Sequence, residues 1–136
     1  MPKFSQTSFS KLTTCHPDLQ VLFYEVIKYF DCTILEGYRD KINQEKAFAS
    51  GNTQLHWPHG KHNSQPSMAV DATKYPIDFN DRVGNCYFAG YVMGISEMLF
   101  QQGKITHKIR WGGDFNQNNE VKDGKFIDIA HFELIV

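Results

Sequence analysis

Between residues 17 and 31 the apolar positions Leu19, Leu22, Phe23, Val26, Ile27 and Phe30 recur three and four apart. That spacing puts them on one face of an amphipathic helix. Pro17 suits the first helical position, and Asp18 suits the positive end of the helix dipole. Residues 32–38 (CTILEGY) read as a short strand closing on Gly37. Asp40 is placed to cap a second helix over 41–50, with Gly51 as its stop. The stretch from Gly51 to Pro66 is polar and rich in His, Asn and Gly. Its length marks a functional loop rather than an idle connection. SMAVDAT (67–73) reads as a brief strand, and KYPIDFND as a turn. A helix is expected over 82–102, where Tyr87, Tyr91, Gly94, Ile95, Met98 and Leu99 repeat on one face before Gly103. Residues 104–111 alternate at strand period, and Gly112-Gly113 breaks them. A polar loop follows, and FIDIAHFELIV closes the chain as a β-rich segment. Helices mixed with short strands predict a single α+β domain over 1–136, with a small, mainly antiparallel sheet.

Composition narrows the class. The chain has 136 residues, 41% apolar and 21% charged, ordinary for a soluble globular domain able to bury a core. A net charge of −1 gives no bulk attraction to nucleic acid or to an anionic membrane. No apolar run approaches the length of a membrane span, so no membrane insertion is expected. Cys15, Cys32 and Cys86 are odd in number and widely spaced, which is not a disulfide framework. The N-terminus MPKFSQTSFSKL carries no secretory-type apolar core. Synthesis in a cytoplasm, as a monomer, is the expectation.

The polar positions raise a different question. His62 lies nine residues before Asp71, at the entry to the Met68-Ala69-Val70 run. A catalytic zinc site needs three protein ligands and an open fourth position. His131, in the C-terminal β-rich segment, is the best third ligand. Glu133, two residues on, shares its face in a regular strand, whereas Asp128, three residues back, does not. Asp128 reaches the same site only if the chain bends and the strand starts near Ala130. Six histidines and fifteen acids generate many such combinations. Spacing alone therefore leaves open a solvated loop histidine, an edge aspartate and a hydrogen-bonded His131. His56 and His59 compete with His62 for the ligand position.

The run KHNSQPSMAVD, with Tyr75-Pro76-Ile77-Asp78 after it, resembles the signature of a family of zinc peptidoglycan peptidases. That family includes D-alanyl-D-alanine carboxypeptidases and phage L-alanyl-D-glutamate endopeptidases. EGYRD (36–40), RWGGDF (110–115) and DIAHFE (128–133) resemble further family segments, in the family's order. The resemblance implies that His62, Asp71 and His131 hold Zn2+, that Asp128 is the general base and acid, and that Arg39 polarises the scissile carbonyl. Glu133, Ser67 and Trp111 fall in supporting or substrate-binding places, against a bland reading of Trp111 as core and of Arg39 as a surface pair with Glu36 or Asp40. Gly60 departs from the family's usual serine. The implied substrate is the peptidoglycan stem peptide, cut by a phage endolysin that acts on the cell wall after release. An L-alanyl-D-glutamate endopeptidase comes first and a D-alanyl-D-alanine carboxypeptidase or dipeptidase second. A zinc-bound recognition module without turnover is the rival from another class.

Overall fold

A computed structural model describes residues 2–121 and 128–136. Residues 122–127, which include the end of the polar loop and the start of the closing β segment, lie outside the described residues. Four helices and four strands are described: α1 (Gln6–Leu12), α2 (Pro17–Val26), β1 (Cys32–Glu36), α3 (Lys41–Ala49), β2 (Ala69–Lys74), α4 (Arg82–Gln101), β3 (Ile109–Trp111) and β4 (His131–Leu134). The strands form one sheet in the order β1-β2-β4-β3, antiparallel at every pairing. This is the α+β arrangement expected.

The helix starts follow local chemistry. Ser5 accepts from the Ser8 amide, Asp40 from Asn43 and Asp81 from Gly84, so each N-cap satisfies an amide with no partner inside its helix. Pro17 stands at the start of α2, and Asp18 lies in its first turn. Gly51 and Gly103 follow α3 and α4 with positive φ, the left-handed stop that glycine takes without penalty.

Two boundaries and one helix differ from the sequence reading. Helix α2 ends at Val26, and a turn carries the stripe through Ile27 to Phe30. Only Ile109–Trp111 of residues 104–111 pairs as strand. The preceding turn is held by Asp18, which accepts from the Thr106 and His107 amides. Helix α1 was not foreseen. Its polar, short sequence has little apolar period, and it is fixed by tertiary contacts: Leu12 is fully buried and the Ser8 hydroxyl accepts from the Ile34 amide.

Apolar faces of α2 and α4 close over one side of the sheet. Leu19, Leu22, Phe23, Phe88 and Val92 meet Val70, Ala72, Phe132 and Leu134 in one core. Phe23 and Phe132 pack edge to face at 5.8 Å. Cys15 and Cys32 are buried free thiols, and burial pushes both up to about 12, so they sit as small core residues.

Candidate active site

The core side of β2 takes Val70 and Ala72, so the alternation of a strand turns Asp71 to the opposite face. Across the β2–β4 ladder, Asp71 stands directly opposite His131. His62 arrives from a short 3-10 turn, Lys61–Asn63, at the end of the long polar loop. The three side chains converge. His62 Nε2 lies 3.2 Å from Asp71 Oδ1 and 3.3 Å from His131 Nδ1, and His131 Nδ1 lies 3.2 Å from Asp71 Oδ1.

The outer atoms of each ring decide what the inner atoms carry. His62 Nδ1 sits 2.8 Å from the Gly37 carbonyl oxygen, which only accepts, so that nitrogen holds the proton. His131 Nε2 sits 2.9 Å from Glu133 Oε1, a second acceptor. Each neutral ring therefore points a lone pair at the Asp71 carboxylate. Three electron pairs facing one point need a cation between them. In the metal-free chain a proton fills that need: burial opposes it, but the hydrogen bonds to Asp71 and Glu133 prevail and push His131 up to about 9. Asp71 is held well below the usual carboxylate range, because the two histidines outweigh the cost of its burial.

The triangle also fits a metal by size. Tetrahedral bonds of about 2.0–2.1 Å place ligand atoms about 3.3–3.4 Å apart. The observed edges are 3.2, 3.2 and 3.3 Å. The donor set, two imidazoles and a carboxylate, suits zinc and leaves a fourth position.

Asp128 comes to this cluster through the bend that its position required. Strand β4 starts at His131, and Asp128 lies in the turn ahead of it, where its carbonyl accepts from the His131 amide at 3.1 Å. Its own amide donates to the Gly112 carbonyl at 2.8 Å. A Cβ on Gly112 would lie 2.0 Å from the Asp128 carbonyl oxygen, so the first glycine of Trp-Gly-Gly is what lets this turn approach. Burial, then the charge of Asp71, raises the Asp128 pKa.

A cleft of about 580 Å³ opens over these groups, lined by Arg39, His62, Asp128, His131 and Glu133 together with loop residues from Asn52 to Leu55 and from His59 onward. Arg39 is clamped by both oxygens of Glu36 at 2.9 and 2.8 Å, so the bland pairing and the cleft position coexist. Its Nη2 lies 3.7 Å from Asp71 Oδ2. Glu133 is buried and accepts from His131, from Arg110 Nη2 at 2.7 Å and from Lys61 Nζ at 3.2 Å.

Other expectations sort differently. Trp111 is buried, donates to the Ile129 carbonyl at 2.7 Å and does not line the cleft. The packing reading of this residue replaces the substrate-binding one. Ser67 is fully buried and bonds the Ala69 carbonyl at 2.6 Å and the Gly37 carbonyl at 3.3 Å. It steadies the oxygen that orients His62 and is closed to substrate. His56 stacks on Phe48 and pairs with Glu45, outside the triangle. His59 lines the cleft, but His62 is the ring in the cluster.

Two residues that the sequence reading passed over matter here. Gln44 is fully buried, donates to the Leu55 carbonyl at 2.6 Å, and accepts from Arg39 at 3.1 Å and Asn63 at 3.0 Å. It ties α3, the loop and Arg39 together, and a lone glutamine in a weakly amphipathic helix gives no signal of this. Arg110 carries no mark in the sequence beyond its place in RWGGDF, yet its guanidinium holds Glu133. Gly60 abuts the Gln44 network: a Cβ there would lie 2.9 Å from Asn63 Oδ1 and 3.2 Å from the Gln44 amide.

A second cluster, His16, Asp18 and His107, gathers three donor atoms at the start of α2. Its hydrogen bonds speak against a metal. His16 Nδ1 accepts from the Asp18 amide at 3.0 Å, so the proton of the neutral ring sits on Nε2 and neither nitrogen is free to ligate. Asp18 Oδ2 already takes four contacts from Thr106 and His107. The cluster is a tether between α2 and the turn before β3.

Fold and site together define a small α+β domain with a two-histidine, one-aspartate centre. Residues 1–135 match the family described as phage L-alanyl-D-glutamate peptidase, and the chain belongs to that family. Among solved structures it is similar to the Serratia marcescens L-Ala D-Glu endopeptidase ChiX, with a TM-score of 0.72 and 19% identity. That alignment covers 98% of this chain and 90% of that one, and shows the shared fold. No match to a curated protein was found.

Proposed function

We propose that the chain hydrolyses the L-alanyl-D-glutamyl bond of the peptidoglycan stem, with zinc held by His62, Asp71 and His131 and Asp128 moving the proton. Family membership makes it a peptidase acting on peptidoglycan. The observation that carries the finer reading is the convergence of three lone pairs at tetrahedral edge lengths. When bound, zinc polarises the scissile carbonyl and lowers the pKa of a coordinated water from about 15.7 to about 7.

The chain's own groups supply the rest. Asp128 accepts a proton from the attacking water and delivers it to the leaving amine nitrogen. Its raised pKa suits both duties better than an ordinary carboxylate. Arg39, pinned by Glu36 and Gln44, presents fixed positive charge on the cleft wall beside Asp71, where negative charge develops on the carbonyl oxygen. Gly37 and Glu133 set the two imidazole tautomers. Among the described residues no helix is long and apolar enough to cross a membrane. Action on the wall as an endolysin after release is part of the proposal.

Purified peptidoglycan digested with the protein tests this by mass. New N-terminal D-glutamate is expected, and loss of terminal D-alanine would transfer the activity to a carboxypeptidase. Asp128→Ala is expected to keep one zinc per chain and lose hydrolysis. An Asp128→Ala chain that cuts as before would take the proton-carrying role from Asp128, and a wild-type chain that binds zinc and the wall but releases no product would leave only a recognition module.

A further inference from the structure

Asp128 borders more than the cleft. The same residue lines a second cavity of about 500 Å³, floored by Ala72 and Ala130 and walled by Phe79, Asn80 and Arg82. It also borders a polar cavity of about 650 Å³ that holds Glu36, Asp71 and Lys46. Several exits from the proton carrier suit a bond cut in the interior of a chain, where substrate continues on both sides.

Arg82 is unlike the other two arginines. Arg39 and Arg110 are each tied to a glutamate. Among the described residues, the Arg82 guanidinium has no acidic or hydrogen-bonding partner. Its neighbour Asp81 is taken by the Gly84 amide and by Lys74 at 3.0 Å. Arg82 is also the first residue of α4, where a cation opposes the helix dipole. Beside it Phe79 is 70% exposed. Arginine and aromatic side chains are both enriched at recognition surfaces, and these two line one cavity.

The substrate chemistry supplies the missing anion. A glutamyl residue has two carboxyls. One carries the chain onward, and the other stays free, a few bonds from the scissile nitrogen. The alanyl side of the bond offers only a methyl group. The free carboxylate must therefore lie close to Asp128, whose own charge repels it, and it needs a cation within reach. The Lys46 cavity sets three acids, Glu36, Asp71 and Asp128, against Lys46 and an Arg39 already clamped by Glu36, whereas the Phe79–Arg82 cavity has Asp128 as its one acid.

We propose that Arg82 anchors the free carboxylate of the glutamyl residue on the leaving-amine side, with Phe79 as the apolar wall under its methylene groups. This rests on the L-alanyl-D-glutamyl reading above.

The test compares zinc-loaded wild type, Arg82→Gln and Lys46→Gln on two synthetic stem peptides: one with the free D-glutamyl carboxylate, one with that group as the carboxamide. Wild type is expected to favour the carboxylate roughly tenfold in kcat/KM, mostly through KM, as a charge-assisted contact at an exposed site allows. Arg82→Gln is expected to lose the preference by raising KM for the carboxylate peptide to that for the amide, with an unchanged melting temperature. Lys46→Gln is expected to keep it. Calorimetry of the D-glutamyl product peptide and its amide should repeat the pattern without turnover. A preference that survives Arg82→Gln, that vanishes in Lys46→Gln, or that wild type never shows overturns the assignment. If wild type cuts neither peptide at the glutamyl nitrogen, the underlying function falls, and this anchor with it.

Discussion

Replacing Glu133 by glutamine exchanges one carboxylate oxygen for an NH2 at a residue only 5% exposed. The carboxylate now accepts from His131 Nε2 at 2.9 Å, from Arg110 Nη2 at 2.7 Å and from Lys61 Nζ at 3.2 Å. Glutamine keeps one acceptor oxygen, and the always-charged guanidinium is the stronger claimant. The NH2 then meets the His131 N–H, donor against donor. Relief comes by moving the ring proton to Nδ1, the atom aimed at Asp71 and the metal position. Loss of such an outer partner costs about 10–100-fold in metal affinity, or about 1.4–2.7 kcal/mol. The metal-free fold should weaken as well, by roughly 2 kcal/mol, since two cations lose their charge-assisted acceptor. For 136 residues that is about 7 °C in Tm. Zinc affinity is read by competition with a chromophoric chelator, and stability by thermal melts of the metal-free chain. At saturating zinc, kcat should fall less than affinity, because Asp128 is untouched. A Glu133→Gln chain that melts lower yet binds zinc within about twofold of wild type would refute the tautomer argument and leave Glu133 a structural anchor.

Three further outcomes follow from the same geometry. Zinc at about 100 times its Kd should stabilise the chain by about 2.7 kcal/mol, near 9 °C at this length; His131→Ala should abolish the shift, and an equal shift in both proteins would place the metal elsewhere. Gly112→Ala drives a methyl into the Asp128 carbonyl, 2.0 Å away as the backbone stands; hydrolysis should drop at least tenfold while zinc stoichiometry stays at one, and an unimpaired rate would show that the Asp128 turn is not positioned by this contact. Asp18→Asn should destabilise by about 2 kcal/mol at pH 7 without changing zinc content. Burial opposes the Asp18 charge, but its bonds to His107 and Thr106 prevail and lower its pKa. Its stabilisation is therefore complete above the unfolded value near 3.9 and fades as pH falls through the lower folded one, so wild-type and variant stabilities should converge in acid.

The elements that sequence made legible are those with strong local chemistry. Helix α2 declares itself through its stripe and Pro17, α3 through Asp40, α4 through its length and Gly103. Helix α1 has no such stripe and is held by Leu12 and the Ser8–Ile34 bond, both products of the finished fold. Within the site, His62, Asp71 and His131 were identified as a set because a family pattern linked them; their spacing in the chain gave no distances. The register that sets Asp71 against His131 is a pairing between strands 60 residues apart, and nothing local encodes it. Trp111 misled because a tryptophan beside Gly112-Gly113 suits a cleft wall as well as a core, and its indole N–H finds a carbonyl only once β3 is docked. Gln44 and Arg110 escaped for the opposite reason. Each is an ordinary surface-type residue made important by what it meets.

The acids around the cleft show how one residue type is divided among tasks. Asp71 lies against two imidazoles and is held ionised, which suits a ligand and disqualifies it as a proton donor. Glu133 offsets its burial through its bonds to His131 and Arg110, which hold its pKa down to about 2. It can fix a tautomer, but it cannot keep a proton for a leaving amine at neutral pH, so it is a poor substitute base. Glu36 commits both oxygens to Arg39. Asp128 is in contact with no cation among the described residues and has its pKa raised by burial and by Asp71. A carboxylate that is to take a proton and give it back needs that environment, low in dielectric and near another negative charge. The proposed choice of base therefore rests on partners rather than on distance: of the acids gathered here, Asp128 is the one whose surroundings leave its proton affinity to be used.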